Sequence, residues 1–323
     1  MKLRYTLLLF ILAFYNSIIA QTPYNAYQAT SDPIIDGNGN EAIWTAANWK
    51  SIDQLWLGAA PSSSDFLGRY KVCWRGTKIY ILAEITDNIL YDGHSDPLVQ
   101  WYDDDCIEIF IDEDQSKGNH QCTYNAFAYH IATNGNSVDL GTDCNPHLYN
   151  SHITSARTVI GTTYTWEIAM TIYGSSYTDA GPNTPINLSI GKISGFSLAY
   201  CDNDGSSFRE SFMGSEIMPS GHNNDNYITA DYFGTLNLLG PNPTLGINEN
   251  EINLSSFNGQ IELKMNGNTE NYSVLVFDQT GKCLYKNLLK NDIHLTEATF
   301  APGIYIVQLQ GDKKYFLRKI LVH

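Results

Sequence analysis

Residues 21–239 contain many short runs in which hydrophobic and polar positions alternate with a period of two. The clearest run is Cys106–Asp112, in which three isoleucines alternate with Glu108, Phe110 and Asp112. This period is typical of β-strands, and helical periodicity is scarce here. Similar runs, separated by Gly, Asn and Asp, are Tyr70–Trp74, Lys78–Thr86, Tyr124–Ala132, Tyr164–Ile172, Gly195–Tyr200 and Gly234–Leu238. The pattern predicts one all-β domain, a β-sandwich long enough to bury its own core.

A second set of alternating runs follows a segment rich in turn formers. Residues 240–250 contain Gly, Pro and Asn in close succession, and this composition predicts a linker. Residues 251–323 then contain the runs Gln260–Met265, Tyr272–Asp278, Cys283–Leu288, Pro302–Leu309 and Tyr315–His323. We therefore expect a small C-terminal β-sandwich domain at residues 251–323.

Residues 1–20 have the pattern of a secretory signal peptide. Lys2 and Arg4 precede the apolar run Leu7–Phe14, and Ala20 offers a small residue before a cleavage site. That run is too short to span a bilayer comfortably, and no later run is long enough, so we expect no transmembrane segment. The pattern predicts an exported protein.

Charge separates the two predicted domains. Residues 21–246 carry 9 Lys and Arg against 26 Asp and Glu, a net charge of −17, whereas residues 247–323 carry 8 of each. Nucleic-acid-binding proteins carry basic patches, so a nucleic-acid partner is not expected. The acidity fits either divalent cations or ordinary extracellular solubility.

The order of several short motifs makes residues 25–239 similar to the family 9 carbohydrate-binding modules. These motifs are Ile34–Gly37 with Ala42–Trp44, Val72–Trp74 with Ile79–Asp87, Trp101–Asp112, Trp166–Met170 and Phe233–Leu238. The resemblance implies a β-sandwich that holds a sugar between two tryptophan rings. Trp101 corresponds to the first ring. Tyr227 stands at the position of the second, where it offers less stacking area but adds a hydroxyl.

The resemblance also implies polar partners for the sugar hydroxyls. Asp105 and Glu108 match acidic residues of the family, and Asp202 and Arg209 align with a family loop that carries an Asp and an Arg. Asn226 lies beside Tyr227 and could supply an amide. For Trp101 the alternative is a core or rim residue, for Asp202 and Arg209 a salt bridge that fixes a loop, and for Asn226 a loop-forming role.

The alternating run Tyr124–Ala132 offers one more candidate. A polar residue inside a strand pattern suggests a face that borders a site, so Asn125 is a further ligand-binding candidate, whereas His130 is expected in the core or at its rim. Of the six cysteines, Cys122 and Cys144 flank a hairpin-like stretch and are the first candidates for a disulfide.

Calcium is the expected cofactor, because family 9 modules hold structural calcium ions and carboxylates are suitable ligands. The candidate ligands are Asp112, Asp114 and Asp204, which lie in acidic runs without an EF-hand pattern. The alternative is that these runs are solvated acidic loops.

The end of the chain resembles the C-terminal sorting domain of the type IX secretion system of Bacteroidetes. The resemblance rests on Asp278–Lys282, Pro302–Val307 and a basic, apolar last run. It implies the type IX secretion machinery as a partner, and a secreted or cell-surface location in a Gram-negative, Bacteroidetes-like bacterium. A generic small β-sandwich is the alternative.

The sequence thus favours a secreted carbohydrate-binding protein that serves the capture or degradation of polysaccharides such as xylan. No motif pairs two carboxylates for glycoside hydrolysis, and the G-x-S-x-G, H-E-x-x-H and P-loop motifs are absent. Two alternatives stay open. One is a glycoside hydrolase acting on O-glycosyl bonds, and the other is a surface adhesion or structural β-sandwich without a sugar site.

Overall fold

The computed structural model describes residues 21–242, 252–265, 272–279, 281–289, 293–310 and 315–322. The predicted signal peptide and most of the predicted linker lie outside the described residues. Across the described ranges, no helix is long and apolar enough to cross a bilayer. The elements of residues 21–242 are β1 (Tyr24–Gln28), α1 (Ala42–Ala46), β2 (Lys50–Ile52), β3 (Gln54–Gly58), β4 (Phe66–Arg75), β5 (Lys78–Asp87), β6 (Cys106–Asp112), β7 (Phe127–Ala132), β8 (Ser137–Leu140), β9 (Pro146–Leu148), β10 (Ile153–Ile160), β11 (Thr163–Thr171), β12 (Ile193–Asp202), β13 (Ser211–Gly214), two 3-10 helices (Asp225–Tyr227 and Ala230–Tyr232) and β14 (Gly234–Pro241).

These strands form the predicted β-sandwich. Hydrogen bonding follows the order β10-β11-β5-β4-β1-β14-β12-β6-β7-β8-β9, and β1 is parallel to both β4 and β14. The sheet bends at β1 and forms two layers, so that β4 in one layer lies opposite β12 in the other. Ring contacts cross the space between the layers: Phe66 stacks on Tyr200 at 5.4 Å, and Tyr70 meets Phe196 at 5.9 Å between centroids.

Strand β6 is buried on both faces. Ile107, Ile109 and Ile111 enter the core between the two layers. On the opposite face, Phe110 packs with Trp56 at 5.9 Å in a second apolar cluster under β3 and β13. The side chains of β6 therefore alternate between the main core and the second cluster, which we call the outer compartment. Glu108 lies on the side of the outer compartment.

Strand β7 begins at Phe127, three residues later than the alternation predicted. Asn125 makes local contacts instead: its backbone amide donates to the Thr123 hydroxyl, and its side-chain amide donates to the Lys117 carbonyl at 2.6 Å.

The predicted disulfide between Cys122 and Cys144 is confirmed, and it joins the loop before β7 to the loop between β8 and β9.

The predicted C-terminal β-sandwich is also present. Its strands are β15 (Ile252–Phe257), β16 (Gln260–Met265), β17 (Tyr272–Phe277), β18 (Cys283–Leu289), β19 (Ile293–Leu295), β20 (Gly303–Gln310) and β21 (Tyr315–Val322). They form two sheets, β15-β16-β19 and β18-β17-β20-β21, which contribute to one apolar cluster. The predicted turn after β17 is closed by the Asp278 amide, which donates to the Lys282 carbonyl at 3.0 Å.

The close approach of β13 to Trp56 yields a stability prediction. A Cβ on Gly214 would lie 1.9 Å from the indole Cε2, whereas a Cβ on Gly240 would meet Ile190 at an ordinary 3.4 Å. Gly214→Ala should therefore lower the free energy of unfolding by about 2 kcal/mol, as overpacking of a close-packed core does. The matched Gly240→Ala should change it by less than about 0.5 kcal/mol. Equal unfolding midpoints in guanidinium would contradict this packing.

Candidate functional site

A cavity of about 330 Å³ opens on the outer face of β6 and β7, which is within the size range of small-molecule sites. Aromatic rings supply much of its wall, and the polar groups converge on its floor. The lining residues are Trp101, Tyr102, Glu108, Phe110, His120, Gln121, Cys122, Ala128, His130, Asp139, Leu140, Arg209, Phe212, Asn224, Asn226 and Tyr227. An apolar wall with a few fixed polar groups is the usual composition of a ligand site.

The loop that carries Trp101 is held by carboxylates. The Asp104 carboxylate accepts the backbone amides of Gly93 and His94 at 3.0 and 2.9 Å, and the Asp103 carboxylate accepts the backbone amide of Arg209 at 3.3 Å. Both aspartates are buried. The half-buried Trp101 ring packs edge-on against Tyr102, with centroids 5.2 Å apart. The acidic run after Trp101 thus fixes the loop.

Another part of the lining comes from the 3-10 helix Asp225–Tyr227. His120 anchors this helix twice, because its backbone amide donates to the Ile228 carbonyl at 2.8 Å and its Nε2 lies 2.8 Å from the Asn226 carbonyl. Burial lowers the pKa of His120. Tyr227 remains 39 % exposed. The Asn226 side chain is only 1 % exposed, yet neither its Oδ1 nor its Nδ2 has a hydrogen-bond partner.

Glu108 supplies a buried carboxylate to the floor of the cavity. Its Oε1 lies 3.1 Å from His130 Nε2, whereas its Oε2 is buried without a partner. Burial lowers the pKa of His130, but the charge and hydrogen bond of Glu108, together with the Cys201 sulfur, offset this, so the pKa of His130 is raised. Nearby, burial raises the pKa of Asp139 to about 7, although its two oxygens accept the backbone amides of Ala128 and Leu140.

Arg209 reaches the cavity across an aromatic ring. Its guanidinium lies 4.1 Å from the Phe212 ring centroid, Nη1 lies 3.1 Å from the Cys201 sulfur, and Nη2 is 3.5 Å from Asn224 Oδ1. The alternative salt bridge with Asp202 does not form; Asp202 Oδ2 accepts the Ser211 hydroxyl at 2.9 Å instead. Arg209 therefore belongs to the cavity, and Asp202 does not.

Five of the residues predicted to bind ligand meet at the cavity, and three lie elsewhere. Trp101, Glu108, Arg209, Asn226 and Tyr227 line it. The other three, Asp105, Asp202 and Asn125, do not. Asp105 stands three positions before Glu108, so alternation directs it to the other face of the sheet. Cys201 belongs to the apolar cluster beside the cavity, so the next residue, Asp202, projects from the other face of β12. Asn125 lies in the loop before β7 and makes the local contacts described above.

Several lining residues were not predicted as ligands. His130 shares a face of β7 with Ala128, which is two positions away, and that face borders the cavity. His130 also lies directly opposite Glu108 on the neighbouring strand β6. The alternation of β7 could therefore have indicated that His130 borders the site. His120 and Asp139 lie on the disulfide-linked loop and on β8, and nothing in the local sequence indicates that they meet β6.

A separate acidic cluster lies at the ends of β5, β6 and β12. Oxygens of Asp87, Asp105 and Asp202 all lie within 4.8 Å of one another, and all three residues are buried. Burial, together with the neighbouring carboxylates, raises the pKa of Asp105 to about 9 and that of Asp202 to about 7. Asp202 Oδ1 has no hydrogen-bond partner. Three converging carboxylates with an unpartnered oxygen suit a hard divalent cation.

The structure divides the predicted calcium ligands between two places. Asp204 lies close to the acidic cluster, where its charge acts on Asp87 and Asp202. Asp112 is the last residue of β6, a strand about 20 Å long, and Asp114 follows it, so both lie at the other end of the strand. There the two side chains approach each other, and Asp112 also accepts the Lys117 backbone amide at 2.8 Å.

Comparisons with known proteins give two family matches. The family described as carbohydrate family 9 binding domain-like matches residues 35–241, and the secretion system C-terminal sorting domain matches residues 241–323. No curated protein matches the chain.

Solved structures of a family 9 carbohydrate binding module from Caldicellulosiruptor kristjanssonii are similar. The complex with cellotriose is 19 % identical with a TM-score of 0.50, and covers 69 % of this chain and 98 % of that chain. The complex with glucose is 18 % identical with a TM-score of 0.49, and covers 69 % of this chain and 100 % of that chain. At 19 % identity the likeness to the cellotriose complex shows the fold alone.

Proposed function

The chain belongs to the carbohydrate family 9 binding domain-like family, and on this basis we propose that it binds a carbohydrate in the cavity beside Trp101 and Tyr227. Both rings line the same cavity, and neither is fully buried. This arrangement favours sugar binding over the alternative of an adhesion or structural sandwich without a site. A sugar ring presents an apolar C–H face that can pack on an aromatic ring, while its hydroxyls face the cavity floor.

The observation that carries this proposal is a set of buried polar atoms without partners. Glu108 Oε2 and both polar atoms of the Asn226 side chain are buried in the cavity lining and make no hydrogen bond. Leaving a buried polar group unsatisfied costs about 1–3 kcal/mol, so a ligand that satisfies it gains that free energy. Hydroxyl groups can both donate and accept, and several of them on a rigid ring would satisfy a carboxylate and an amide together.

The charge of the site favours a neutral ligand rich in hydroxyls. Glu108 can accept charge-assisted hydrogen bonds from vicinal hydroxyls, and Arg209 can donate them. The Glu108 carboxylate would repel an anionic ligand, and the Arg209 guanidinium would repel a cationic one. We propose β-linked glucan and xylan chains as the first candidates, because one similar module is described in complex with cellotriose.

Binding is favoured over hydrolysis because the matching family is described as a carbohydrate-binding domain. Glu108 and Asp139 both line the cavity, and a glycosidase needs a pair of carboxyl groups on either side of the glycosidic bond. Both Asp139 oxygens accept backbone amides, and Glu108 pairs with His130. These contacts orient the carboxyl groups as fixed parts of the floor. We therefore propose a non-catalytic binding protein that serves polysaccharide capture.

The stacking contact is tested by replacing Trp101. Trp101→Ala should weaken binding of cellotriose or xylotriose about thirtyfold, since losing the stacking surface costs about 2 kcal/mol. The matched control is Trp49→Ala, which removes another half-buried tryptophan that contacts Arg69 and Lys71 away from the cavity. Calorimetry on both folded variants gives the affinities. Unchanged affinity in the Trp101 variant would exclude this cavity as the sugar site.

We propose calcium as a structural cofactor at the acidic cluster of Asp87, Asp105 and Asp202. The cluster fits the ion because three buried carboxylates converge and one oxygen lacks a partner. The bound ion would neutralise carboxylates that repel each other. It would also join the end of β5 to the loops that follow β12 and precede β6, near the loop of Trp101.

Calcium should raise the melting temperature relative to chelator, because an ion that binds only the folded state stabilises it by about 2.7 kcal/mol at one hundred times its Kd. Asp202→Asn should abolish the shift. Asp114→Asn is the matched control, since it removes a carboxylate at the other acidic place, and it should retain the shift. Loss of the shift in the Asp114 variant alone would move the ion to the end of β6.

We propose that residues 251–323 direct the protein through the type IX secretion machinery to the cell surface or medium. The support is the match of residues 241–323 to the sorting-domain family and the separate apolar core of this part. Its last strand pairs with β20 along its whole length, so the strand is part of the folded unit that the machinery would recognise.

Deleting residues 315–323 should therefore retain the protein in the periplasm of a Bacteroidetes host. The deletion removes the partner of β20, whereas the cavity, built from residues 101–227, should keep its sugar affinity. Cell fractionation and calorimetry check the two parts of this expectation, with the full-length protein as the reference. Equal amounts of both forms in the medium would contradict a sorting role.

A further inference from the structure

Two fully buried cysteines face each other beneath the cavity. Cys106 on β6 pairs directly with Cys201 on β12 in the antiparallel register, so their side chains project from the same face of the sheet. Directly opposed residues of antiparallel strands have Cα atoms about 4.5–5.5 Å apart, and a disulfide spans about 4.4–6.8 Å. The register therefore places the two Cα atoms in the range that a disulfide spans.

The surroundings of the pair favour the reactive form of one thiol. Arg209 Nη1 lies 3.1 Å from the Cys201 sulfur, and a guanidinium at this distance stabilises a thiolate, which is the nucleophile of thiol–disulfide exchange. The Cys106 thiol points to the Trp101 carbonyl at 3.8 Å. The pair thus contacts Trp101 and Arg209, which both line the cavity.

We propose that Cys106 and Cys201 form a second disulfide in the exported protein, as a bridge under the floor of the carbohydrate site. The Cys201 thiolate attacks a disulfide donor, which releases one donor thiol. Cys106 then loses its proton and attacks the Cys201 sulfur, which releases the second donor thiol. One donor disulfide becomes two thiols, and the two cysteine thiols become one disulfide. Exchange occurs during folding, after the β12–β13 hairpin has brought Arg209 beside Cys201 and before β6 closes over the sulfurs.

This proposal rests on the proposed export, because disulfides persist outside the reducing cytosol. The other two cysteines lack such a partner. Cys73 lies opposite Tyr80 and Tyr27, and Cys283 lies opposite Phe277 on the C-terminal sheet. The bridge would fix the start of β6, which follows the Trp101 loop, to the end of β12, which precedes the Arg209 loop.

The test counts thiols in the full-length mature protein, purified from the culture medium without reductant, denatured and alkylated. Six cysteines with two bridges leave two alkylated sites, Cys73 and Cys283, whereas the Cys122–Cys144 bridge alone leaves four. Peptide mapping should find Cys106 linked to Cys201. Alkylated Cys106 and Cys201 in that protein would overturn the proposal.

Two variants keep the result interpretable. Cys201→Ser should make Cys106 alkylatable, and the matched Cys73→Ala, which removes a buried cysteine elsewhere, should leave the linked peptide intact. Calorimetry with cellotriose on the same samples separates the two proposals. Sugar binding without the bridge would overturn the disulfide alone, and the bridge without sugar binding would overturn the proposed function alone.

Discussion

The burial of β6 on both faces is the constraint on which the rest of the domain depends. Successive side chains of a strand point to opposite faces, so one strand must supply both the main core and the outer compartment. Its isoleucines occupy the core, while Glu108 and Phe110 face the cavity. Because the isoleucines cannot leave the core, the register of β6 is fixed, and the carboxylate of Glu108 is held beneath the rings without a binding loop of its own.

The many carboxylates of the domain have different physical roles. Asp103 and Asp104 hold the loop of Trp101 by accepting amide and arginine backbone donors. Asp87, Asp105 and Asp202 converge where three strands end, which is unfavourable for three charges unless a cation or protons compensate them. Glu108 alone projects an unpaired oxygen into the cavity lining. Five of these carboxylates therefore lie in loop-holding contacts or in the acidic cluster, and Glu108 carries the proposed ligand contact.

Sequence reasoning reached the fold and the centre of the site, because both follow from alternation and from the motif around Trp101. It placed Asp105 and Asn125 at the site, although the period of two directs Asp105 away from Glu108, and Asn125 lies in the loop before β7. The acidic cluster could not be predicted in the same way, since it joins residues from three separate strands. The Asn226 side chain lacks hydrogen-bond partners because no neighbouring group of the folded domain is placed to pair with it. No local sequence pattern indicates this.

The central claim is that a sugar ring lies against Trp101 and Tyr227 and satisfies the buried polar atoms of Glu108 and Asn226. A crystal structure of the protein with cellotriose tests it most directly. The account predicts a sugar ring packed on Trp101, with hydroxyls within about 3 Å of Glu108 Oε2 and of the Asn226 amide. A sugar bound elsewhere on the domain, with the cavity filled only by water, would contradict it.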